Sequence, residues 1–142
     1  MTFEAEGGCL CGAVRYRVSG SPCHQTHCHC TLCRRASGAP FVTWFSVARK
    51  GFLLMQGKPQ HYRSSPEAVR GFCGHCGTQL TFQRDDMPDE VDVTTCSLDD
   101  PEALTPEDHI YTRSRLRWVV LGDGLPEHAT VREDHGSDAS RS

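Results

Sequence analysis

The chain has 142 residues, a formal net charge of −3 and a hydrophobic fraction of 37%. A chain of this length builds one hydrophobic core, and its charge argues against nucleic acid or an anionic membrane surface as a partner. The opening MTFEAEGG lacks the basic and apolar segments of an export signal, and apolar runs such as FLLM at 52–55 are too short to span a membrane. We therefore expect a cytoplasmic protein that binds neither nucleic acid nor a membrane.

Short stretches in which apolar and polar residues alternate predict strands, beginning with AVRYRVSG. Gly, Pro and Asp residues separate these stretches, as they do between strands. The predicted strands cover 13–20, 40–47, 52–57, 59–64, 78–84 and 90–96. The pattern indicates a mainly β fold.

Helix signals are sparse. A first short helix is predicted from Thr31 to near Gly38, and a second at Pro101, after a capping aspartate at 99 or 100. The final stretch REDHGSDASRS has no large apolar residue with which to offset its ordering entropy. We expect one domain over 1–131 and a flexible polar tail over 132–142.

Nine cysteines in a chain without an export signal indicate metal binding or redox chemistry rather than a disulfide scaffold. Two pairs, in GGCLCGA and GFCGHCGT, have adjacent glycines, which permit the tight turn that a chain makes around a zinc ion. Four thiolates would complete a closed, structural zinc site, and they are Cys9, Cys11, Cys73 and Cys76. The alternative is a redox pair at 73 and 76, for which the sequence lacks a βαβ context.

A third cluster, THCHCTLC at 26–33, contains Cys28, Cys30 and Cys33. If its first part is extended, the first two sulfurs lie on one face of the strand and His27 and His29 on the other, because side chains alternate. Zinc with three protein ligands keeps a fourth position for water or substrate, which is typical of catalytic sites. The triplet is therefore the candidate catalytic centre.

Two questions about the triplet stay open. Cys23, Cys96 or a distant histidine could close the site, although Cys23 has the wrong parity on a continuous strand. Three thiolates on Zn²⁺ leave a net charge of −1, so a further anionic sulfur needs a nearby cation. Arg34 or Arg35 could offset that charge or bind a substrate carboxylate, and we take Arg34 as the substrate-binding candidate. The alternative is that both arginines are solvated surface.

A basic strip, TRSRLRW at 112–118, would place three arginines on one face if it were extended. We interpret these charges as edge-strand decoration that prevents aggregation. Nucleic-acid or cytoskeletal binding is the alternative.

The order of the motifs resembles a known family. CLCG, CHCTLCRR, FCGHCGTQL, SLDDPEAL and HIYTRSRLRWVVLGDGLPEH follow one another between residues 7 and 128. This series is similar to the GFA family, named for the glutathione-dependent formaldehyde-activating enzyme and shared with centromere protein V.

The resemblance implies several small β-sheets joined by zinc, in an Mss4-like fold with two zinc ions per chain. It also implies a carbon–sulfur lyase or synthase activity on a thiol–aldehyde adduct such as S-hydroxymethylglutathione. The expected partners are a small-molecule thiol, with glutathione as the candidate, and a small aldehyde. The alternative is a non-catalytic zinc-binding module that binds a thiol metabolite or a protein.

Overall fold

Strands dominate the protein, as the alternating pattern predicts. The computed structural model describes residues 2–132. The strands are β1 (Phe3–Gly8), β2 (Arg15–Gly20), β3 (Cys23–Cys28), β4 (Val42–Ala48), β5 (Phe52–Gln56), β6 (Gln60–Ser65), β7 (Ala68–Phe72), β8 (Gln79–Arg84), β9 (Glu90–Thr94) and β10 (Asp108–Ile110). One α-helix, α1 (Thr31–Ser37), follows β3, and single 3₁₀ turns lie at Arg49–Gly51, Thr95–Ser97, Pro101–Ala103 and Thr112–Ser114.

The strands form two sheets. The smaller sheet has the order β1-β2-β5, and the larger one has the order β10-β3-β4-β9-β8-β7-β6. Neighbouring strands are antiparallel, except that β10 runs parallel to β3. That parallel contact brings the late segment of the chain beside the cysteine triplet.

The main core lies between the two sheets. In β2, Tyr16 and Val18 are fully buried, whereas Arg15 and Arg17, which alternate with them, are partly exposed, as period-two alternation requires. They pack with buried residues of the larger sheet, such as Phe45 and Val93. Gly7 is needed here because a Cβ atom at this position would lie 2.5 Å from the Tyr16 hydroxyl oxygen.

A second core covers the opposite face of the larger sheet. It contains the three cysteines of the triplet together with Trp44, Phe82, Ile110 and Tyr111. Trp44 and its neighbour Phe45 point to opposite faces of β4 and so belong to different cores. Both are buried.

Two local expectations are wrong in detail. The strip at 112–118 is not a strand: it begins with the 3₁₀ turn Thr112–Ser114 and continues as turns. The predicted helix at Pro101 is only a 3₁₀ turn, capped by Asp100, whose carboxylate accepts a hydrogen bond from the Glu102 backbone N–H. Both segments are too short and too rich in polar residues to bury a continuous face.

The expected tail falls almost wholly outside the described residues. Arg132, its first residue, forms a bidentate ion pair with Asp108, at N–O distances of 2.8 and 2.7 Å. Across residues 2–132, no helix is both long and apolar enough to cross a membrane.

Candidate metal centres

The first cysteine cluster joins two turns that lie far apart in the sequence. Cys9 and Cys11 lie between β1 and β2, and Cys73 and Cys76 lie between β7 and β8. All four sulfurs lie within 4.8 Å of one another. The Sγ–Sγ distance is 3.7 Å for Cys9–Cys11 and 3.8 Å for Cys11–Cys73. A zinc tetrahedron with Zn–S bonds of about 2.3 Å has edges of about 3.8 Å, so the sulfurs fit such an ion.

Backbone and hydroxyl donors surround these four sulfurs. The Val14 N–H donates to Cys9 Sγ at 3.2 Å, and the His75 N–H donates to Cys73 Sγ at 3.4 Å. A hydrogen bond with Thr78 Oγ1 lowers the pKa of the Cys76 thiol to about 5. Donors aimed at sulfur favour the thiolate, which is the form that binds metal.

Glycines enable the two turns, as the sequence predicts. Gly12 and Gly77 each follow a cluster cysteine, with φ values of 82° and 81°. Residues with a Cβ atom adopt this left-handed conformation only with strain, whereas glycine adopts it freely.

The second cluster consists of Cys28, Cys30 and Cys33. Cys28 ends β3, Cys30 caps α1, and Cys33 is the buried residue of that helix. Their sulfurs lie within 4.8 Å of one another, with Cys33 and Cys28 separated by 3.5 Å. The Cys33 N–H donates to Cys30 Sγ at 3.3 Å. The turn into the helix therefore brings the three sulfurs together.

The triplet is fully buried, with exposed fractions of 0, 0 and 1%. Burial, more than the two neighbouring sulfurs, raises the pKa of the Cys28 thiol well above its ordinary value. Three clustered sulfurs are also the kind of donor that soft or borderline metal ions prefer. The donor set therefore fits a bound metal ion, which deprotonates coordinating thiols.

The histidines that flank the triplet point away from it, as strand alternation predicts. The ring of His27 stacks on His109 at a centroid distance of 4.7 Å, and its Nδ1 hydrogen-bonds Thr43 Oγ1. His29 Nε2 lies 2.9 Å from His109 Nδ1. The exposed His75 lies in the first cluster's turn.

Within residues 2–132, none of the candidates for a fourth ligand joins the triplet. Among residues 2–132, no other Cys, His, Asp or Glu belongs to this group of sulfurs. Cys23 is exposed and groups instead with His24 and Glu90, and Cys96 is exposed in a different part of the chain. Cys73 and Cys76 form no disulfide.

A buried arginine beside the triplet escaped the sequence analysis. Arg70 on β7 is 2% exposed, and its two terminal nitrogens lie 3.8 and 3.7 Å from Cys33 Sγ. The signal was an arginine inside the short apolar stretch AVRGF, but that stretch was not recognised as a strand. Of the arginines considered, Arg34 is half-buried and Arg35 is exposed.

Two cavities flank α1. The smaller, of about 440 Å³, lies between the helix and the β6–β8 strands, and we call it the α1–β7 cavity. Its lining residues are Leu32, Arg35, Ala36, Tyr62, Ser64, Arg70, Phe72 and Gln79. The larger, of about 690 Å³, is lined by Cys9 and Cys96 but by neither Arg70 nor the triplet. Arg70 therefore both lines the α1–β7 cavity and contacts Cys33 of the triplet.

These features define the class of protein: a mainly β domain with two cysteine clusters, one of four sulfurs and one of three, each able to hold a metal ion. Comparison with known proteins gives the family. Residues 4–114 match the family described as glutathione-dependent formaldehyde-activating enzyme, GFA, and the chain belongs to it.

The names of two relatives agree with this assignment, and a solved structure shares the fold. A Schizosaccharomyces pombe protein named as an uncharacterized lyase is 37% identical over 79 residues, which are 56% of this chain and 57% of that protein. A Halomonas elongata protein named "Putative glutathione-dependent formaldehyde-activating enzyme" is 27% identical over 125 residues, 82% of this chain and 80% of that one. A crystal structure of a Rhodobacter sphaeroides protein shares the fold, with a TM-score of 0.58 and 23% identity, over 87% of this chain and 98% of that chain.

Proposed function

We propose that this protein is a zinc-dependent carbon–sulfur lyase or synthase that acts on a thiol–aldehyde adduct such as S-hydroxymethylglutathione. The difference between the two clusters carries the proposal. Four sulfurs surround one candidate zinc position, whereas three surround the other in the described part of the chain. Catalytic zinc sites keep a position for an external ligand and structural sites do not.

The four-cysteine cluster is proposed as the structural zinc site of an Mss4-like fold. It ties the β1–β2 turn of the small sheet to the β7–β8 turn of the large sheet. Metal binding at such a junction adds directly to the free energy of folding.

The triplet is proposed as the catalytic site, formed by Cys28, Cys30 and Cys33. Zinc there would supply Lewis acidity and hold a substrate sulfur as its thiolate. In the synthetic direction, the thiol sulfur forms a bond to the aldehyde carbon, and the thiol proton ends on the aldehyde oxygen. In the lyase direction that carbon–sulfur bond breaks, and the proton returns to sulfur.

The substrate route is proposed to be the α1–β7 cavity, because its wall includes Arg70, which contacts Cys33. Arg35 lines the same cavity and is exposed, so it could bind a substrate carboxylate. Arg34 remains the residue predicted from the sequence for this role. Comparing Arg34→Met with Arg35→Met for the Michaelis constant of a carboxylate-bearing thiol decides between them.

A different observation favours a second candidate function. All three sulfurs of the triplet are buried and none lines the α1–β7 cavity. A zinc-binding module without turnover, which binds a thiol metabolite or a protein partner, would need no open path to the ion.

One experiment separates the two. Zinc per chain is measured together with the rate of exchange between glutathione, formaldehyde and their adduct, followed by NMR above the uncatalysed background. The enzyme proposal expects two zinc ions and catalysed exchange by the native protein, loss of exchange in Cys30→Ser, and native behaviour in the control Cys96→Ser. Two zinc ions without exchange by the native protein would leave only the binding module.

A further inference from the structure

Arg70 is a buried cation held rigidly from two sides. Its Nε–H donates to Ser64 Oγ at 3.0 Å, and its Cζ atom lies 4.9 Å from the centroid of the Phe82 ring. These contacts fix the plane of the guanidinium and aim both terminal nitrogens at Cys33 Sγ. The position of the Arg70 guanidinium is therefore fixed by residues of the neighbouring strands.

The terminal nitrogens of this guanidinium face the Cys33 sulfur. Within residues 2–132, no carboxylate forms an ion pair with Arg70. A buried charge is costly unless an opposite charge lies beside it. Three thiolates and one divalent ion carry a net charge of −1, which a single guanidinium balances.

We propose that Arg70 is the counter-ion of the triplet centre and the residue that lets this centre accept an anionic sulfur from outside. The inference rests on the proposed function, because it requires an open position at the triplet. A further thiolate raises the charge of the centre to −2, and the adjacent guanidinium offsets part of it at short range. Arg70 acts through Cys33, so it is a positioning residue rather than a catalytic one.

The test uses full-length protein loaded with Co²⁺, whose absorption spectrum reports ligands at the open position. The four-cysteine cluster has no position for an added ligand, so ligand-dependent changes report the triplet. Two probes are titrated: 2-mercaptoethanol, which binds as an anionic thiolate, and imidazole, which binds as a neutral ligand. If Arg70 acts by charge compensation, its removal weakens the binding of the thiolate selectively. If its removal damages the site, the binding of both probes is weakened.

The variants are chosen to separate charge from packing. Arg70→Met is expected to weaken thiolate binding by about ten- to a hundredfold, the range for loss of a charged hydrogen-bond partner, with imidazole binding changed by less than about threefold. Arg70→Lys keeps the charge and should keep most of the thiolate affinity. Ser64→Ala removes only the anchor of the guanidinium and should give a smaller loss in the same direction. The matched control is Arg63→Met, which removes an exposed arginine from the adjacent strand.

Each outcome has a definite meaning. Parallel losses of both ligands in Arg70→Met and Ser64→Ala would show a structural role and overturn the inference. Unchanged thiolate binding in both variants would also overturn it. If the native protein binds neither ligand, the open position itself is absent and the proposed catalytic function fails together with the inference. Should Arg70→Met not fold, Arg70→Gln replaces it, because glutamine removes the charge and keeps a polar side chain with hydrogen-bond donors.

Discussion

His29 and His109 lie 80 residues apart in the chain, and their ring nitrogens Nε2 and Nδ1 are 2.9 Å apart in the folded protein. The contact exists because β10 pairs in parallel with β3. His109 Nε2 lies 2.7 Å from the Asp123 carboxylate, which can only accept, so this nitrogen donates. In the neutral His109 ring, Nδ1 then accepts a hydrogen bond from the His29 Nε2–H.

This arrangement predicts that His109 stabilises the late segment of the chain. His109→Phe removes both hydrogen bonds and leaves the buried His29 donor without a partner, at a cost of about 1–3 kcal/mol in the free energy of unfolding. Asp123→Asn should cost less, since this side chain is 40% exposed. Urea unfolding of the metal-loaded proteins measures both. Equal losses of unfolding free energy in the two variants would contradict this role of the buried His29–His109 hydrogen bond.

The four-cysteine cluster predicts unequal roles for two exposed cysteines. Cys11→Ser removes one of four metal ligands and should reduce the metal content by one ion per chain, with a loss of several kcal/mol in stability. Cys96→Ser, the matched control, should change stability by less than about 0.5 kcal/mol. Metal analysis and thermal unfolding provide the measurements. Full metal content and native stability in Cys11→Ser would show that the cluster holds no structural ion.

The buried Tyr16 predicts a pH dependence at high pH. Its hydroxyl lies 2.6 Å from Ser97 Oγ, and burial raises its pKa to about 12. In the unfolded chain, Tyr16 loses its proton near pH 10, whereas in the folded protein it keeps the proton up to about pH 12. Because the unfolded state loses the proton first, the stability of the folded protein falls between about pH 10 and pH 12.

The variant Tyr16→Phe tests this dependence. It should cost about 1 kcal/mol at pH 8 through the lost hydrogen bond. Native protein should lose about 1 kcal/mol relative to the variant by pH 11, so the two stabilities converge. Unfolding curves at pH 8 and pH 11 measure the stabilities of both proteins. A stability difference that is the same at both pH values would refute the raised pKa of Tyr16.

The ion pair between Arg15 and Asp99 predicts only a small effect. The two N–O distances are 2.9 and 2.6 Å, but the side chains are 32 and 56% exposed. Asp99→Asn should therefore cost no more than about 1 kcal/mol, and the cost should shrink in molar salt because exposed pairs are screened. Chemical unfolding at low and high salt provides the measurement. A cost above about 2 kcal/mol that persists in salt would assign this aspartate a role beyond the surface pair.

Among the predicted strands, β2 alternates between buried and partly exposed residues, whereas β4 and β9 are buried on both faces. The stretch 13–20 contains β2, where alternation records which face is buried, and 40–47 contains most of β4, where a short apolar stretch between turn residues was the signal. The strands β1, β7 and β10 were not predicted, and β3 was considered only as an extended stretch at 26–30. Several residues of β7 are buried on both faces, and β10 has only three residues. Neither therefore shows alternation.

The sequence by itself determined the mainly β fold and the grouping of cysteines in short motifs, because hydrophobic periodicity and the turns around metal ligands are local properties. It also determined that the flanking histidines face away from the triplet. Only the tertiary structure decided which cation lies beside the triplet: Arg70, 37 residues after Cys33, reaches it through sheet packing. The same holds for the contact of His29 with His109, since pairing between distant strands depends on topology and leaves no local pattern in the sequence.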